Sequence, residues 1–210
     1  MEIKKFVSGL LETNSYLIID EKNKKAALID PAKGSKDKIL SFLEKNDLSL
    51  EAILITHSHF DHIGDVRSLQ EKTKACVYIH KEDEKNLEKP GADGIAPFEE
   101  IEGAKADKNV KENDLIEIGD LKIEVIHTPG HTPGGVCYYL EKEKILFSGD
   151  TLFSGTIGNL SFPTCSEKDM WISLKKLSSL PVDTIVYPGH GEKTSIGKEK
   201  WLSSAEEYFS

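Results

Sequence analysis

Residues 56–62 read T-H-S-H-F-D-H and follow directly on the apolar run LEAILI. Three imidazoles and a carboxylate at the exit of a buried strand cannot be packed into an apolar core without partners, so the fold must supply them with a polar cluster or a cation. His57 and His59 are two apart, and an extended segment projects both to one side; the adjacent Asp61 and His62 diverge and serve a second point. With seven His and 14 Asp in 210 residues, the spacing H-x-H-x-D-H arises by chance in about one such chain in 2,000. Three further candidates end later apolar runs: His131 in HTPGHTPGG, Asp150 in FSGDTLF and His190 in YPGHGEKT. Gly or Pro brackets each of them, as expected where backbone turns sharply beside a ligand cluster. Together the seven divide into two metal environments.

The rest of the chain predicts a scaffold with many strand ends. SYLII (15–19) and KAALID (25–30) flank the turn DEKNK and predict a hairpin. SKDKILSFLEKN predicts a helix behind Ser35 as N-cap, LEAILIT a buried strand, residues 63–74 a second helix and ACVYIH another strand, an alternation that builds a sheet with helices on one face. Residues 81–109 are polar and broken by Pro90, Gly91, Gly94, Pro97 and Gly103, which predicts a helix fragment followed by an insertion loop. DLIEIGDLKIEVIHTPG and GGVCYYLEKEKILFSGD are strand–turn–strand patterns, followed by a helix over 167–177, a strand DTIVYP and a C-terminal helix from about residue 197. Two β-rich halves with helices outside make an α/β sandwich whose site lies along one edge, where strand ends meet.

Composition narrows the functional classes. At 38% hydrophobic and 30% charged residues the chain has the make-up of a globular protein, and its length lets it bury roughly 70% of its unfolded surface. The net charge of −9 disfavours nucleic acid and anionic lipid as partners. The 26 lysines are a solvated charged face. Three cysteines, Cys76, Cys137 and Cys165, do not make a disulfide framework and point to a reducing compartment. The first twenty residues hold no apolar run of signal-peptide or membrane-span length, so a cytoplasmic location is expected.

The motifs HSHFDH, PGH, SGD and PGHG, in this order, resemble the metallo-β-lactamase superfamily over nearly the whole chain, from NSYLIID to the final helix. GDTLF with its glycine-containing loop, and PGHGEKTSIGKEK, are most similar to the glyoxalase II (hydroxyacylglutathione hydrolase) and persulfide dioxygenase branches. The resemblance implies a single domain spanning 1–210 with the αββα four-layer sandwich fold, without the C-terminal helical domain of glyoxalase II, and a centre of two divalent metal ions. By matching positions, His57, His59 and His131 would bind the first ion, Asp61, His62 and His190 the second, and Asp150 would bridge them. Zinc is the first expectation, with iron or manganese as alternatives. Asp61 would be both ligand and proton acceptor.

Nitrogen and oxygen donors suit zinc, iron or manganese, and a closed thiolate site is excluded. Two divalent ions with Asp61, Asp150 and one bridging hydroxide leave a centre of about +1, so anionic acyl substrates are compatible with an acidic protein. A leaving thiolate has an aqueous pKa of about 8.5 and departs without a dedicated general acid, which makes hydrolysis of a small acyl thioester by the bridging hydroxide the simplest chemistry. The loop FSGTIGNLSFPT places Asn159 and Ser161 where glyoxalase II carries glutathione-binding residues, so the thiol carrier stays open, as does the oligomeric state. An iron-dependent persulfide dioxygenase using the His57, His131 and Asp150 positions, and a metal-binding module without catalysis, are the competing classes. His80 and His127 lie outside the matched ligand positions and are expected as strand-end histidines; Cys137 is expected in the core and Cys165 in a loop; Phe153 and Phe162 wall an acyl pocket or pack in the core.

Overall fold

The computed structural model describes residues 1–209. In chain order the elements are β1 (Glu2–Ser8), β2 (Thr13–Asp20), β3 (Lys25–Ile29), α1 (Lys36–Lys45), β4 (Ser49–Leu54), α2 (Phe60–Ile63), α3 (Val66–Thr73), β5 (Cys76–His80), α4 (Glu84–Glu88) and β6 (Lys108–Val110). They continue with β7 (Leu115–Ile118), β8 (Leu121–His127), β9 (Val136–Leu140), β10 (Ile145–Gly149), α5 (Glu167–Leu177), β11 (Ile185–Pro188), β12 (Thr194–Ser195) and α6 (Ala205–Phe209). Two six-stranded sheets result, ordered β1-β2-β3-β4-β5-β6 and β12-β11-β10-β9-β8-β7. Each begins with antiparallel neighbours and turns parallel where a helix carries the chain across, at β3–β4 and at β10–β11.

The period of two along β2 shows why the sheets stack. Tyr16 and Ile18 face the second sheet and meet Val125, Tyr138 and Phe147, whereas Leu17 and Ile19 face outward onto Ile39 and Leu43 of α1 and Leu69 of α3. On the far side, Tyr139 and Leu146 pack against Met170, Leu174 and Leu177 of α5. Strands buried on both faces need a helical layer outside each sheet, and the αββα sandwich is the architecture that satisfies this. Two tyrosines stitch the inner faces together: Tyr16 donates its hydroxyl to Pro188 O (2.8 Å) and Tyr138 donates to Ile55 O (3.0 Å). Both bonds lie at the strand ends that carry the candidate residues. Among the described residues, no helix is long and apolar enough to cross a membrane.

Several expectations are corrected. β1 lies outside the strands that the apolar runs predict, because an edge strand reading EIKKFVS buries little of either face. The helix expected over 63–74 is two helices, α2 and α3, broken at Gly64 and Asp65. Gly64 lies against Lys33, where a Cβ would stand 2.5 Å from the backbone nitrogen, and Asp65 turns to accept the Lys36 amide at 2.8 Å. That carboxylate caps α1, whereas Ser35 makes no side-chain cap. The insertion loop carries an edge strand, β6. The C-terminal helix begins at Ala205 rather than near 197; before it, Glu199 is buried and accepts from Thr194 Oγ1 (2.5 Å) and Trp201 Nε1 (2.8 Å).

A polar clamp joins the two sheets at the end away from the candidate residues. Asp20 accepts from Asn23 Nδ2 and from the Asp120 amide of the β7–β8 turn, both at 2.6 Å. Gly119, at φ +60°, is the residue of that turn for which no side chain fits, since a Cβ would collide with Asp20 Oδ2. The bonds from Asn23 and Asp120 hold the Asp20 carboxyl down to about 2. A depressed carboxyl contributes stability that is present above its unfolded value of 3.8 and is lost as pH falls toward 2. Urea midpoints measured at pH 5 and pH 2.5 are therefore expected to drop further for the wild type than for Asp20→Asn; equal drops would count against the clamp.

Candidate metal centre

The centre sits at one end of the sandwich, where β4, β8, β10 and β11 run out into loops. After β4 the chain bends at Thr56, is extended at His59 (φ −59°, ψ 144°) and then enters α2, so the segment leaving the strand presents His57 and His59 while the first helical turn carries Asp61 and His62. His131 follows β8 through the turn TPGH, Asp150 follows β10, and His190 follows β11. The seven side chains converge. His57, His59 and His131 place ligand atoms within 4.8 Å of one another, and so do Asp61, His62 and His190. Asp150 lies between the groups: Oδ1 is 3.3 Å from His62 Nε2, and Oδ2 is 3.6 Å from His131 Nε2 and 3.5 Å from His190 Nε2.

Hydrogen bonds decide which ring nitrogen faces inward. A backbone carbonyl only accepts, so His131 Nδ1–H donates to Asn159 O (2.8 Å) and His190 Nδ1–H donates to Leu11 O (3.0 Å). His62 Nδ1–H donates to Asp30 Oδ2 at 2.9 Å. Thr56 Oγ1 gives its proton to the same carboxylate at 2.5 Å and is thereby left to accept from His57 Nδ1 at 3.1 Å. Four rings are thus oriented through Nδ1, with Nε2 directed into the centre. Nε2 of His57, His59, His62 and His131 and Oδ1 of Asp150 are all buried without a hydrogen-bond partner. Each such atom costs about 1–3 kcal/mol if left unmatched, and the four on His57, His62, His131 and Asp150, which converge, are the environment a cation satisfies.

Electrostatics give the same answer. Burial, with the neighbouring imidazoles, pushes His57 well below the ordinary histidine range and His59 down to about 3, so both rings are neutral with lone pairs free for a ligand bond. Burial alone would also lower His62 and His190, but the carboxylates of Asp61 and Asp150 override it and raise both. Asp61 and Asp150 are held low against their own burial by those imidazoles, with Thr13 Oγ1 donating to Asp61 Oδ2 at 2.7 Å. Positive charge is what the cluster demands. Gly189 leaves room for it beside Asp150, for a Cβ there would collide with Oδ1 and stand 2.6 Å from His62 Cε1.

Asp30, Asp83 and Asn14 were not singled out in the sequence. Asp30 comes near enough to His57 and His62 to complete a third group of possible ligands, but its oxygens are already occupied by the Thr56 amide (2.8 Å), the Thr56 hydroxyl and His62 Nδ1. It is a strut for two histidines. Asp83, buried and raised by that burial, accepts from Ser58 N (2.9 Å), Thr132 Oγ1 (2.9 Å) and Gly134 N (2.7 Å), tying the HSH strand end to the turn that carries His131. Asn14 donates to Pro188 O and Gly191 O, both at 3.0 Å, and so fixes the loop of His190. The one sequence signal was the strand-ending ID before Pro31.

His80 and His127 stack on each other (centroids 4.1 Å, planes 11° apart) away from the cluster. Cys137 is buried, its thiol pushed up to about 11 by that burial, and Cys165 is half-buried with its thiol directed at His131 O (3.1 Å). Phe162 stands edge-on to His59 and His131 (centroids 5.4 and 5.9 Å), and Phe153 lies 6.1 Å from the His190 ring. The Asn159 side chain turns into its own loop, accepting from Ser161 N at 2.8 Å.

Comparison with known proteins places this geometry. A family model described as the metallo-beta-lactamase superfamily matches residues 8–190. The hydroxyacylglutathione hydrolase GloC of Haemophilus influenzae is 33% identical over 198 residues, 92% of this chain and 92% of its own length. Among solved structures, the BLEG-1 B3 metallo-beta-lactamase superposes with a TM-score of 0.88 at 37% identity, covering 94% of this chain and 96% of its own. TTHA1623 in a di-iron-bound form superposes with a TM-score of 0.80 at 36% identity, covering 93% and 96%.

Proposed function

Because the chain belongs to the metallo-β-lactamase superfamily, we propose that it is a dinuclear metal-dependent hydrolase of small acyl thioesters. His57, His59 and His131 would hold one ion and Asp61, His62 and His190 the second, with the Asp150 carboxylate placed between the two groups. The observation that carries this reading is the pair of three-residue groups bridged by Asp150, with the oxygens of that one carboxylate 3.3–3.6 Å from imidazoles of both. The imidazole and carboxylate donors suit zinc and equally iron, the metal of the TTHA1623 structure. Divalent ions held there supply Lewis acidity toward the acyl oxygen and bring the pKa of water toward neutrality.

The protein's own groups do the rest. The Nδ1 struts fix the rings before substrate arrives, so no reorganisation is needed during the reaction. Asp61, oriented by Thr13, is the carboxylate placed to take up the proton of the attacking water. Phe162 and Phe153 form apolar walls beside His59 and His190, which suits an acyl group and keeps bulk water off it. A departing thiolate needs no acid, in keeping with a site whose imidazoles are committed to struts and ligands. The hydroxyacylglutathione hydrolase relative supports the thioester class. The unpaired cysteines fit a reducing compartment.

One preparation tests the proposal. Elemental analysis is expected to find two ions per chain, and hydroxyacyl thioesters should release thiol equally in air and under anaerobic conditions, with activity abolished by a chelator and restored by the ion. Release that survives complete removal of the ions overturns the metal-dependent reading. Turnover that requires oxygen assigns the centre to a dioxygenase.

A further inference from the structure

His59 is the exception among the five imidazoles of the centre. The other four have Nδ1 anchored by protein, whereas the buried Nε2 of His59 has no hydrogen-bond partner. The group facing that nitrogen is Asp93, whose Oδ2 lies 3.8 Å away; the two side chains are 5% and 9% exposed. Asp93 is held from behind. Its Oδ1 accepts from Ile95 N (2.9 Å) and its Oδ2 from Asn86 Nδ2 (2.9 Å), while its amide donates to Asn86 Oδ1 (3.2 Å). Asn86, on α4, also donates to Ser58 O at 2.6 Å, the carbonyl between His57 and His59. One asparagine therefore registers the loop around Asp93 against the strand end that carries the ligands.

A carboxylate has about four acceptor directions, and only two are used by Ile95 and Asn86. The gap to His59 exceeds a hydrogen bond by less than 1 Å, roughly what a small rotation of one imidazole covers. An aspartate serving only its turn has no reason to be this buried against a ring nitrogen.

We infer that Asp93 is the positioning residue for His59: its carboxylate accepts the Nε2–H and so presents Nδ1 of that ring to an ion. The inference rests on the metal-centre reading above. It gives the insertion loop a role, because ordering of residues 91–95 then sets the affinity of the group formed by His57, His59 and His131.

The test uses the zinc-loaded protein. In competition with a chromophoric chelator, Asp93→Asn and Asp93→Ala should weaken one ion about 10- to 100-fold and leave the other unchanged. Two-bond proton–nitrogen spectra of the loaded wild type should show His59 as the Nε2–H tautomer, with a downfield ring proton that is lost in Asp93→Ala. Variants that only melt earlier, with both ion affinities and the tautomer unmoved, reduce Asp93 to a turn residue and overturn the inference, as does an Nδ1–H tautomer for His59. A wild type that binds no ion overturns the centre itself. Ions weakened as described in a protein that hydrolyses no thioester leave the inference standing and remove only the substrate class.

Discussion

Asp150→Asn is expected to leave a folded protein that has lost ion occupancy and nearly all turnover. The substitution conserves shape, and its amide can still contact the surrounding imidazoles, so the fold should survive. It removes half of the carboxylate charge in the centre, however, at the one position that reaches His62, His131 and His190 together. Two divalent ions would then be balanced by Asp61 alone. Losing the Lewis-acid contribution is worth several kcal/mol, and at about 1.4 kcal/mol per factor of ten a loss of about 4 kcal/mol lowers the rate roughly 10³-fold. Elemental analysis, turnover and a melting curve on the same sample check the three parts. Undiminished turnover with two ions still bound would remove Asp150 from the machinery.

The second large effect falls on stability. Asp30 is 1% exposed and is the shared acceptor for the Thr56 amide, the Thr56 hydroxyl and His62 Nδ1. Asp30→Ala leaves the Thr56 amide, the Thr56 hydroxyl and a buried imidazole without their acceptor, a loss of about 3–5 kcal/mol. Ala must also adopt the φ of +48° found here, at a further cost of about 1 kcal/mol. In a chain of this length each kcal/mol moves the melting temperature by about 2–4 °C, so a drop of about 10–20 °C is expected, with weaker ion binding because His57 and His62 lose their alignment. Asp30→Asn tolerates the backbone and keeps one acceptor, and should fall between. A melting temperature for Asp30→Ala within a degree of wild type would mean that the strut contributes nothing.

How much of this was legible depended on range. The hairpin of SYLII and KAALID and the strand LEAILI stand out because both of their faces are buried and the runs are continuous. β1 was illegible because its register against β2, not its composition, makes it a strand. The break between α2 and α3 depends on Lys33 and Lys36, which reach Gly64 and Asp65 only after folding. The same holds at the centre: the seven donor residues carry local signatures of Gly, Pro and strand-end spacing, while Asp30, Asp83 and Asp93 look like ordinary turn or strand-end aspartates until a histidine, a serine amide or a threonine is brought against them.

The chain's order of residues was enough to name the kinds of donor atom present and the side to which an extended backbone throws His57 and His59, because both follow from covalent geometry over a few bonds. Which ring nitrogen turns inward, which aspartates support the histidines from behind, and the distances at which the two groups stand on either side of Asp150, were decided by the stacking of the two sheets. Those choices depend on hydrogen bonds between residues far apart in the chain, whose geometry exists only once the inner faces have excluded water and locked the strand ends side by side.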